Sequence, residues 1–198
     1  MKNTIKCTRT LPEGYRKVWG LDMRKTGNLI IANVAGIPVL ILAAFATFYV
    51  ASRLRPASEL GLGGTIPVIL QLVILIISVI LMLVVHEGVH GLCFWIFTRS
   101  KPRFALKIFY AYAAAPEWYL PKWLYFTTAT APFVVITLLG FLGIAVCPPW
   151  FITPLMAVII FNASGAVGDL WVSGALLFRS PLVLAQDDGD AISFFEPS

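Results

Sequence analysis

The chain has 198 residues, of which 59% are hydrophobic and 13% are charged. An average soluble domain is about 45–50% apolar and about 25% charged, so this composition excludes an ordinary soluble globule, a disordered protein and a collagen-like fibre. The net charge of +5 comes from basic residues beside apolar segments, so the chain is not expected to bind nucleic acid. These features predict an integral membrane protein.

Four apolar stretches follow one another along the chain, and each is longer than the roughly 20 residues that a helix needs to cross a bilayer. They cover residues 28–51, 65–97, 124–146 and 150–178. We therefore predict an all-α integral membrane fold, a bundle of four transmembrane helices that forms one domain over residues 28–178. The second and fourth stretches exceed the length of a span, so their helices are expected to be tilted, broken or extended beyond the bilayer.

The segments outside these stretches predict that both termini lie in the cytoplasm. Thirteen of the fifteen Lys and Arg fall on the side of the termini, which is the distribution expected at the inner face of the cell membrane. Residues 1–27 mix aromatic and basic side chains and lack the apolar core of a signal peptide, which predicts an interfacial segment beside the anionic lipids of the inner leaflet. Residues 179–198, rich in aspartate, are predicted to form a flexible cytoplasmic tail.

Residues 103–112 alternate large apolar side chains with smaller or basic ones, which is typical of a β-strand. Two interpretations of this segment remain open. It forms a short β-hairpin that closes the cytoplasmic end of the helix bundle, or it offers a strand edge with which an extended substrate can pair.

The second apolar stretch contains the sequence His86-Glu87-Gly88-Val89-His90, an H-E-x-x-H motif formed around the only two histidines of the chain. Four residues advance a helix by about 400° and about 6 Å, so His86 and His90 project from one face and can bind the same metal ion. Glu87 is the candidate catalytic base. It lies about 100° around the helix from His86, so it can reach a metal-bound water without being forced among the metal ligands. Charged side chains inside a span are costly, which makes this group a functional hypothesis.

A catalytic zinc site usually has three protein ligands and one open position, so a third ligand is needed. Asp169 is the favoured candidate, because it is the only charged residue from Leu124 to Phe178 and regular helices would place it at the depth of the histidines. Cys93 would lie about 10 Å along the helix from His86, too far to share an ion with both histidines. The weaker candidates are carboxylates in loops: Glu117, Asp187, Asp188 and Asp190.

Three residues and one segment near these groups have two interpretations each. Asn162 is a tentative substrate-binding residue, since a buried amide needs a partner, and that partner is either a substrate carbonyl or another helix. Small residues from 162 to 168 allow close helix packing or local unwinding. Gly88 and Gly91 leave room for water or substrate, or they allow a neighbouring element to approach closely.

His86, Glu87, His90 and Asp169 together resemble the metal site of the site-2 protease class of intramembrane zinc metalloproteases. In that class, the H-E-x-x-H motif lies on one core helix and the third ligand, an Asp, lies two core helices later. The small four-span layout more narrowly resembles a putative zincin peptidase family. The resemblance covers about Thr65 to Phe178, with Gly168-Asp169-Leu170 where the class usually has Leu-Asp-Gly, and with no room for a PDZ domain.

This resemblance implies a zinc-dependent membrane metalloprotease that cleaves a membrane protein or peptide, with Zn²⁺ bound by His86, His90 and Asp169. Glu87 would act as the general base toward the attacking water. Two alternatives remain open: a non-proteolytic membrane protein such as a metal transporter or scaffold, and a zinc hydrolase that acts on a lipid or a lipidated peptide. The oligomeric state is also open.

Overall fold

A computed structural model of the chain describes residues 6–62, 66–107 and 110–198. Most of this chain is helical: α1 (Thr26–Leu54), α2 (Val68–Thr98), α3 (Lys122–Val146), α4 (Pro149–Gly165) and α5 (Val167–Leu177), with a short 3-10 helix at Ala57–Glu59. The strands are β1 (Tyr15–Asp22), β2 (Arg103–Leu106), β3 (Ala111–Ala114), β4 (Tyr119–Pro121), β5 (Leu184–Asp187) and β6 (Ala191–Pro197).

The helices agree with the predicted spans. Helices α1, α2 and α3 are each long and apolar enough to cross a membrane, and α4 and α5 pass the same test as a pair bent by 48°. Within the described residues this makes three candidate spans, or four if the bent pair is one span. Thr65, the predicted start of the second span, lies outside the described residues. Large apolar side chains are exposed along these helices, a surface that monomeric soluble proteins rarely present.

Prolines inside the helices leave specific carbonyl groups without a helical partner. Proline has no backbone N–H, so the carbonyl four residues earlier loses its helical hydrogen bond. Pro154 in α4 thereby frees the carbonyl of Trp150, which accepts a hydrogen bond of 3.0 Å from the Gln71 side chain. Pro132 in α3 frees the carbonyl of Thr128 in the same way. These two carbonyls are therefore acceptors for side chains of α2.

A four-stranded antiparallel sheet in the order β1-β6-β5-β4 corrects the all-α prediction. Strand β1 lies in the predicted interfacial segment, and β5 and β6 lie in the predicted flexible tail, which is instead paired with β1 and β4. The aspartates that indicated flexibility surround the turn between β5 and β6, where Gly189 has a φ of +93°. Phe194 of β6 is fully buried and stacks on Trp19 of β1 with ring centroids 4.6 Å apart. This apolar packing is what orders both segments.

Strands β2 and β3 form the hairpin that the alternating segment predicted, although residues 108 and 109 lie outside the described chain. Arg103 pairs with Ala114 and Leu106 with Ala111. The ring of Phe104 occupies the space where a side chain at Gly91 of α2 would lie. Gly91 is therefore explained by close packing of the hairpin on α2, the second of its two interpretations.

The chain divides into two compact units. The first combines the described residues up to Ala32 with those from Glu87 to Ala131 and from Gly168 to Ser198, and it contains both sheets. In this unit the buried Lys122 of α3 donates hydrogen bonds to the carbonyls of Leu177 and Arg179, which cap the end of α5.

The second unit combines the described residues from Asn33 to His86 with Pro132–Val167. Helices α3 and α4 approach closely within it, because Gly140 leaves space for the side chain of Ile159. Arg55 at the end of α1 donates to the carbonyl of Cys147 at 2.7 Å and pairs with Glu59 at 2.9 Å. These contacts stabilise the turn between α3 and α4.

Candidate metal centre

The structure groups three residues whose ligand atoms all lie within 4.8 Å of one another: His86, His90 and Asp169. The histidines are one turn apart on α2 and are both buried. Asp169 lies in the first turn of α5, where the positive end of the helix dipole favours a carboxylate. Asp169 is the only carboxylate of the described residues that forms such a group with the histidines.

The imidazole of His90 is held by a backbone acceptor. Its Nδ1 donates to the carbonyl of Thr128 at 2.8 Å, the group that Pro132 leaves without a helical partner. A carbonyl can only accept, so the proton of a neutral His90 must be on Nδ1 and its Nε2 carries a lone pair. This Nε2 lies 3.4 Å from Oδ2 of Asp169.

The imidazole of His86 is held by the side chain of Asn162, which is fully buried. Oδ1 of Asn162 lies 3.0 Å from Nδ1 of His86, and its Nδ2 donates to the carbonyl of Phe133 at 3.3 Å and to Oγ1 of Thr137 at 3.4 Å. The Phe133 carbonyl fixes the orientation of the amide, so Oδ1 must accept from His86. His86 therefore also carries its proton on Nδ1, which leaves Nε2 to coordinate a metal.

This arrangement fits a zinc ion. Two histidine nitrogens and one carboxylate oxygen are the donor set of several catalytic zinc sites. Bonds of about 2.0–2.2 Å at tetrahedral angles hold two ligand atoms about 3.3–3.6 Å apart, and Nε2 of His90 and Oδ2 of Asp169 are 3.4 Å apart. Metal-binding histidines usually donate their other N–H to a carbonyl or carboxylate, as His90 does to Thr128.

The other candidate ligands have different partners. Glu117 is exposed and pairs with Arg103 at 3.2 Å. Asp190 accepts from the hydroxyl of Tyr110 at 2.7 Å, and burial together with this hydrogen bond raises the pKa of Tyr110 to about 12. Asp188 accepts from the amide of Ala191 at the turn between β5 and β6. Cys93 is not part of the metal-binding group of the described residues.

Glu87 follows His86 on α2 and is half-buried. Gly88 is exposed, and nothing lies within 4 Å of the position that its side chain would occupy. The helix surface beside Glu87 therefore has open space at Gly88, in agreement with the first interpretation of that glycine, whereas the space at Gly91 is filled by Phe104.

A buried carboxylate, Asp187 of β5, also lies near the histidine–aspartate group. Its Oδ2 accepts from the hydroxyl of Tyr125 at 2.7 Å, and its Oδ1 accepts from the amide of Gly189 at 2.8 Å. Burial raises the pKa of Asp187 to about 6, while these hydrogen bonds oppose that rise and the charge of Asp169 adds to it. Asp187 therefore connects β5 to α3, and it lies close enough to the candidate ligand Asp169 for their charges to interact.

Sequence reasoning missed two of these residues. The carbonyl of Thr128 belongs to the backbone, and the signal that could have identified it is Pro132, four residues later in an uncharged helix. Tyr125 lies one turn before Thr128, and its partner Asp187 belongs to a segment for which the sequence predicts a flexible tail. Of the two interpretations of Asn162, its hydrogen bonds favour the one in which the amide bonds another helix.

Replacing Asn162 by alanine is expected to lower zinc affinity by about 10–100-fold, the usual effect of losing a partner that orients a metal ligand. Imidazole rotation and the other tautomer become accessible to His86 once this acceptor is removed. Competition with a fluorescent chelator in detergent measures the affinity.

Ser164 provides a matched control for that variant. It lies on the same helix, and its hydroxyl bonds the carbonyl of Gly36 at 3.0 Å instead of a histidine. Ser164→Ala removes one α4 hydrogen bond of similar energy, but that bond does not hold a histidine. It should therefore leave zinc affinity within about twofold of the original chain. Equal losses in Asn162→Ala and Ser164→Ala would mean that the effect on zinc is a general consequence of disturbing α4.

Comparison with known proteins supports a peptidase site in this region. The model of a family described as "Putative zincin peptidase" matches residues 79–181, slightly more than half of the chain. The match includes both histidines, Glu87, Asn162 and Asp169. Such a family implies a zinc cofactor. No curated protein and no solved structure matches the chain significantly.

Proposed function

We propose that this chain, which belongs to the putative zincin peptidase family, is a membrane-embedded zinc metallopeptidase that cleaves a membrane protein or peptide. The observation that carries the proposal is the state of the two histidines. Buried acceptors hold the Nδ1 protons of His86 and His90, so both Nε2 atoms are left for coordination beside Asp169. The general resemblance to site-2 proteases supports the same reading.

Each residue of the site has a separate task in this proposal. His86, His90 and Asp169 hold Zn²⁺, which when bound supplies a Lewis acid for the scissile carbonyl and the attacking water. Glu87 accepts a proton from that water at its carboxylate and passes it to the leaving amine. Asn162 and the Thr128 carbonyl keep the histidines in one tautomer and orientation. Gly88 leaves space beside Glu87 for water or substrate.

The pairing of the strands supports four membrane spans. Strands β1, β6, β5 and β4 are neighbours in one sheet, so its outer strands are about 14 Å apart, less than the roughly 30 Å of a hydrocarbon core. The chain must therefore return to the same side between β1 and β4 and again between β4 and β5. Helices α1 and α2 make the first return. The second return, between β4 and β5, requires that α3 crosses the membrane in one direction and that the bent pair α4–α5 crosses once in the other.

The basic residues then favour a cytoplasmic position for this sheet. Thirteen of the fifteen Lys and Arg flank the spans on the side of the sheet. In this orientation both termini lie in the cytoplasm, and the hairpin β2–β3 lies at the cytoplasmic end of α2. The exposed strand β2 is then a candidate edge for an extended substrate, whose peptide bonds become accessible only after its helix unwinds.

Purified wild-type protein in liposomes is expected to bind about one zinc per chain and to cleave a single-span alanine–leucine helix interrupted by a helix-breaking segment. A chelator should stop cleavage, and added zinc should restore it. Metal analysis measures the bound zinc, and gel electrophoresis of the helix, carrying a fluorescent label, measures its cleavage. A chain without zinc would contradict the proposal, whereas bound zinc without cleavage of membrane peptides would favour a transporter, a scaffold or a lipid hydrolase.

A further inference from the structure

A cavity of about 330 Å³ lies in the first compact unit, away from the histidines, beside the sheet and the first turn of α1. Its lining is polar and basic: it includes Lys17 and Gly20 of β1, Lys25, Asn28 of α1 and Ser193 of β6. The volume falls within the range of small-molecule sites, about 300–1,000 Å³. The cavity therefore has room for a ligand of headgroup size.

A β-bulge builds one wall of this cavity. Lys17 pairs with Phe195, Trp19 pairs with Phe194, and Gly20 pairs with Ser193, so one residue of β1 is extra. In a regular strand residues three apart lie on opposite faces, but the extra residue brings Lys17 and Gly20 to the same face. Bulges commonly redirect a side chain in this way. Here the redirected side chain is the ammonium group of Lys17.

Gly20 makes the space that this ammonium group occupies. A Cβ atom at Gly20 would lie 2.9 Å from Cε and 3.0 Å from Nζ of Lys17, so a side chain at this position would push the end of the Lys17 side chain aside. The glycine thus lets Lys17 fold across the strand along the cavity wall. The bulge and the glycine are two separate features of β1 that serve the same lysine.

The charges that line the cavity leave one positive charge in excess. Arg24 is neutralised by Asp22, with Nε–Oδ1 at 2.9 Å and a second hydrogen bond of 3.0 Å to Oδ2. Asp188 also lines the cavity, and its Oδ1 accepts from the amide of Ala191. The ion pairs of the described residues include neither Lys17 nor Lys25. Three basic and two acidic side chains therefore match a ligand with a single negative charge.

The cavity lies at the level where the chain begins its first apolar helix. Lys25 directly precedes α1, and Ile30 and Ile31, which follow within two turns, are 55% and 54% exposed. A ligand whose anionic group enters the cavity would place an attached apolar chain beside these side chains. Phospholipids have this amphiphilic form, with a phosphodiester that carries one negative charge.

We propose that this cavity binds the phosphodiester headgroup of an anionic phospholipid of the cytoplasmic leaflet, with Lys17 and Lys25 as its cationic contacts and Ser193 as a hydroxyl donor. The assignment rests on the membrane orientation in the proposed function, but it does not depend on zinc or on peptidase activity. One specifically held lipid would fix the depth of β1 and of the start of α1 in the membrane.

Native mass spectrometry of the delipidated full-length protein, titrated with phosphatidylglycerol or phosphatidylcholine, tests this proposal. We expect one tightly bound phosphatidylglycerol per chain and clearly weaker binding of phosphatidylcholine. The double variant Lys17→Gln/Lys25→Gln should bind phosphatidylglycerol about 30-fold more weakly, because each surface lysine contributes about fivefold. Gly20→Ala, which displaces the Lys17 ammonium group, should give a smaller loss.

The matched control is Arg16→Gln/Lys101→Gln, which also removes two charges but at residues outside the lining of the cavity. It should change phosphatidylglycerol binding by less than about twofold. Equal affinities in the two double variants, or equal binding of both lipids by the original chain, would overturn the proposal. So would displacement of the lipid by excess inorganic phosphate, which would assign the cavity to a soluble anion. Zinc content in the same samples keeps the outcomes separate, because its absence would contradict the metallopeptidase alone.

Discussion

Replacing Asp169 by alanine is expected to lower zinc affinity by more than about 100-fold, beyond the loss caused by removing a residue that only orients a ligand. In the proposed zinc site Asp169 is the oxygen ligand, and its Oδ2 lies 3.4 Å from Nε2 of His90. Two histidines alone leave zinc with half of a tetrahedral shell. Competition with a fluorescent chelator at fixed pH measures the affinity, and a thermal melt of the metal-free protein reports whether the variant folds.

Glu117→Ala is the control for that variant, because it removes a carboxylate that sequence reasoning kept as an alternative ligand. Glu117 is exposed and paired with Arg103, so its loss should change zinc affinity by less than about twofold. If Asp169→Ala kept its affinity and Glu117→Ala lost it, Asp169 would be wrong as the third ligand. The two histidines would then share the metal with a loop carboxylate.

Replacing Glu87 by glutamine should separate metal binding from catalysis. Glutamine has nearly the same shape as glutamate but cannot accept a proton from water, and a general base contributes about 10²–10⁴-fold to a rate. We therefore expect cleavage of the model helix to slow by about 10³-fold while zinc content stays near that of the original chain. A time course of fluorescent product at matched zinc content measures this difference.

The change Glu117→Gln is the corresponding control, since it makes the same chemical substitution at an exposed position. It should leave the cleavage rate within about twofold. Normal cleavage by Glu87→Gln would exclude Glu87 as the base. Loss of zinc from Glu87→Gln would instead mean that the carboxylate contributes to the metal shell.

The grouping of His86, His90 and Asp169 could be predicted, because it depends on helical spacing and on how few charged residues the apolar stretches contain. Helical spacing alone puts His86 and His90 on one face, and Asp169 is the only charge in two apolar stretches. The structure groups all three residues. The break after Gly165 is one of the two alternatives that the sequence leaves open, because a run of small residues allows either close helix packing or local unwinding.

The sheet could not be predicted, because its information is non-local. The bulge at Lys17 and Trp19 interrupts the alternation by which a strand is recognised, so β1 looked like an irregular interfacial segment. Its partner β6 follows a run of aspartates that resembles a solvated tail but forms a turn at Gly189. The residue pattern of one strand does not identify a partner strand that lies so far away in the chain.

The backbone contact to His90 illustrates a different limit. The Thr128 carbonyl can accept from His90 because Pro132 has no N–H to donate to it, so residue 128 itself carries no signal of this contact. The same logic applies to Trp150 and Pro154, whose freed carbonyl accepts from Gln71. A proline in an apolar helix thus predicts where a carbonyl is available, but only the fold identifies the donor that reaches it.

The pairing of β1 with β6 also determines when the protein can be completed during synthesis. Asp22 pairs with Ala191, about 170 residues later in the chain, and at roughly 5–20 residues per second the ribosome needs about 8–34 s to make that length. Throughout this interval β1 is without its partner, while helices α1 to α5 are made one after another. The carboxylate of Asp187, which anchors Tyr125, also arrives only at the end of this interval. The sheet is therefore completed only by β5 and β6, after all the helices of the described residues have been made.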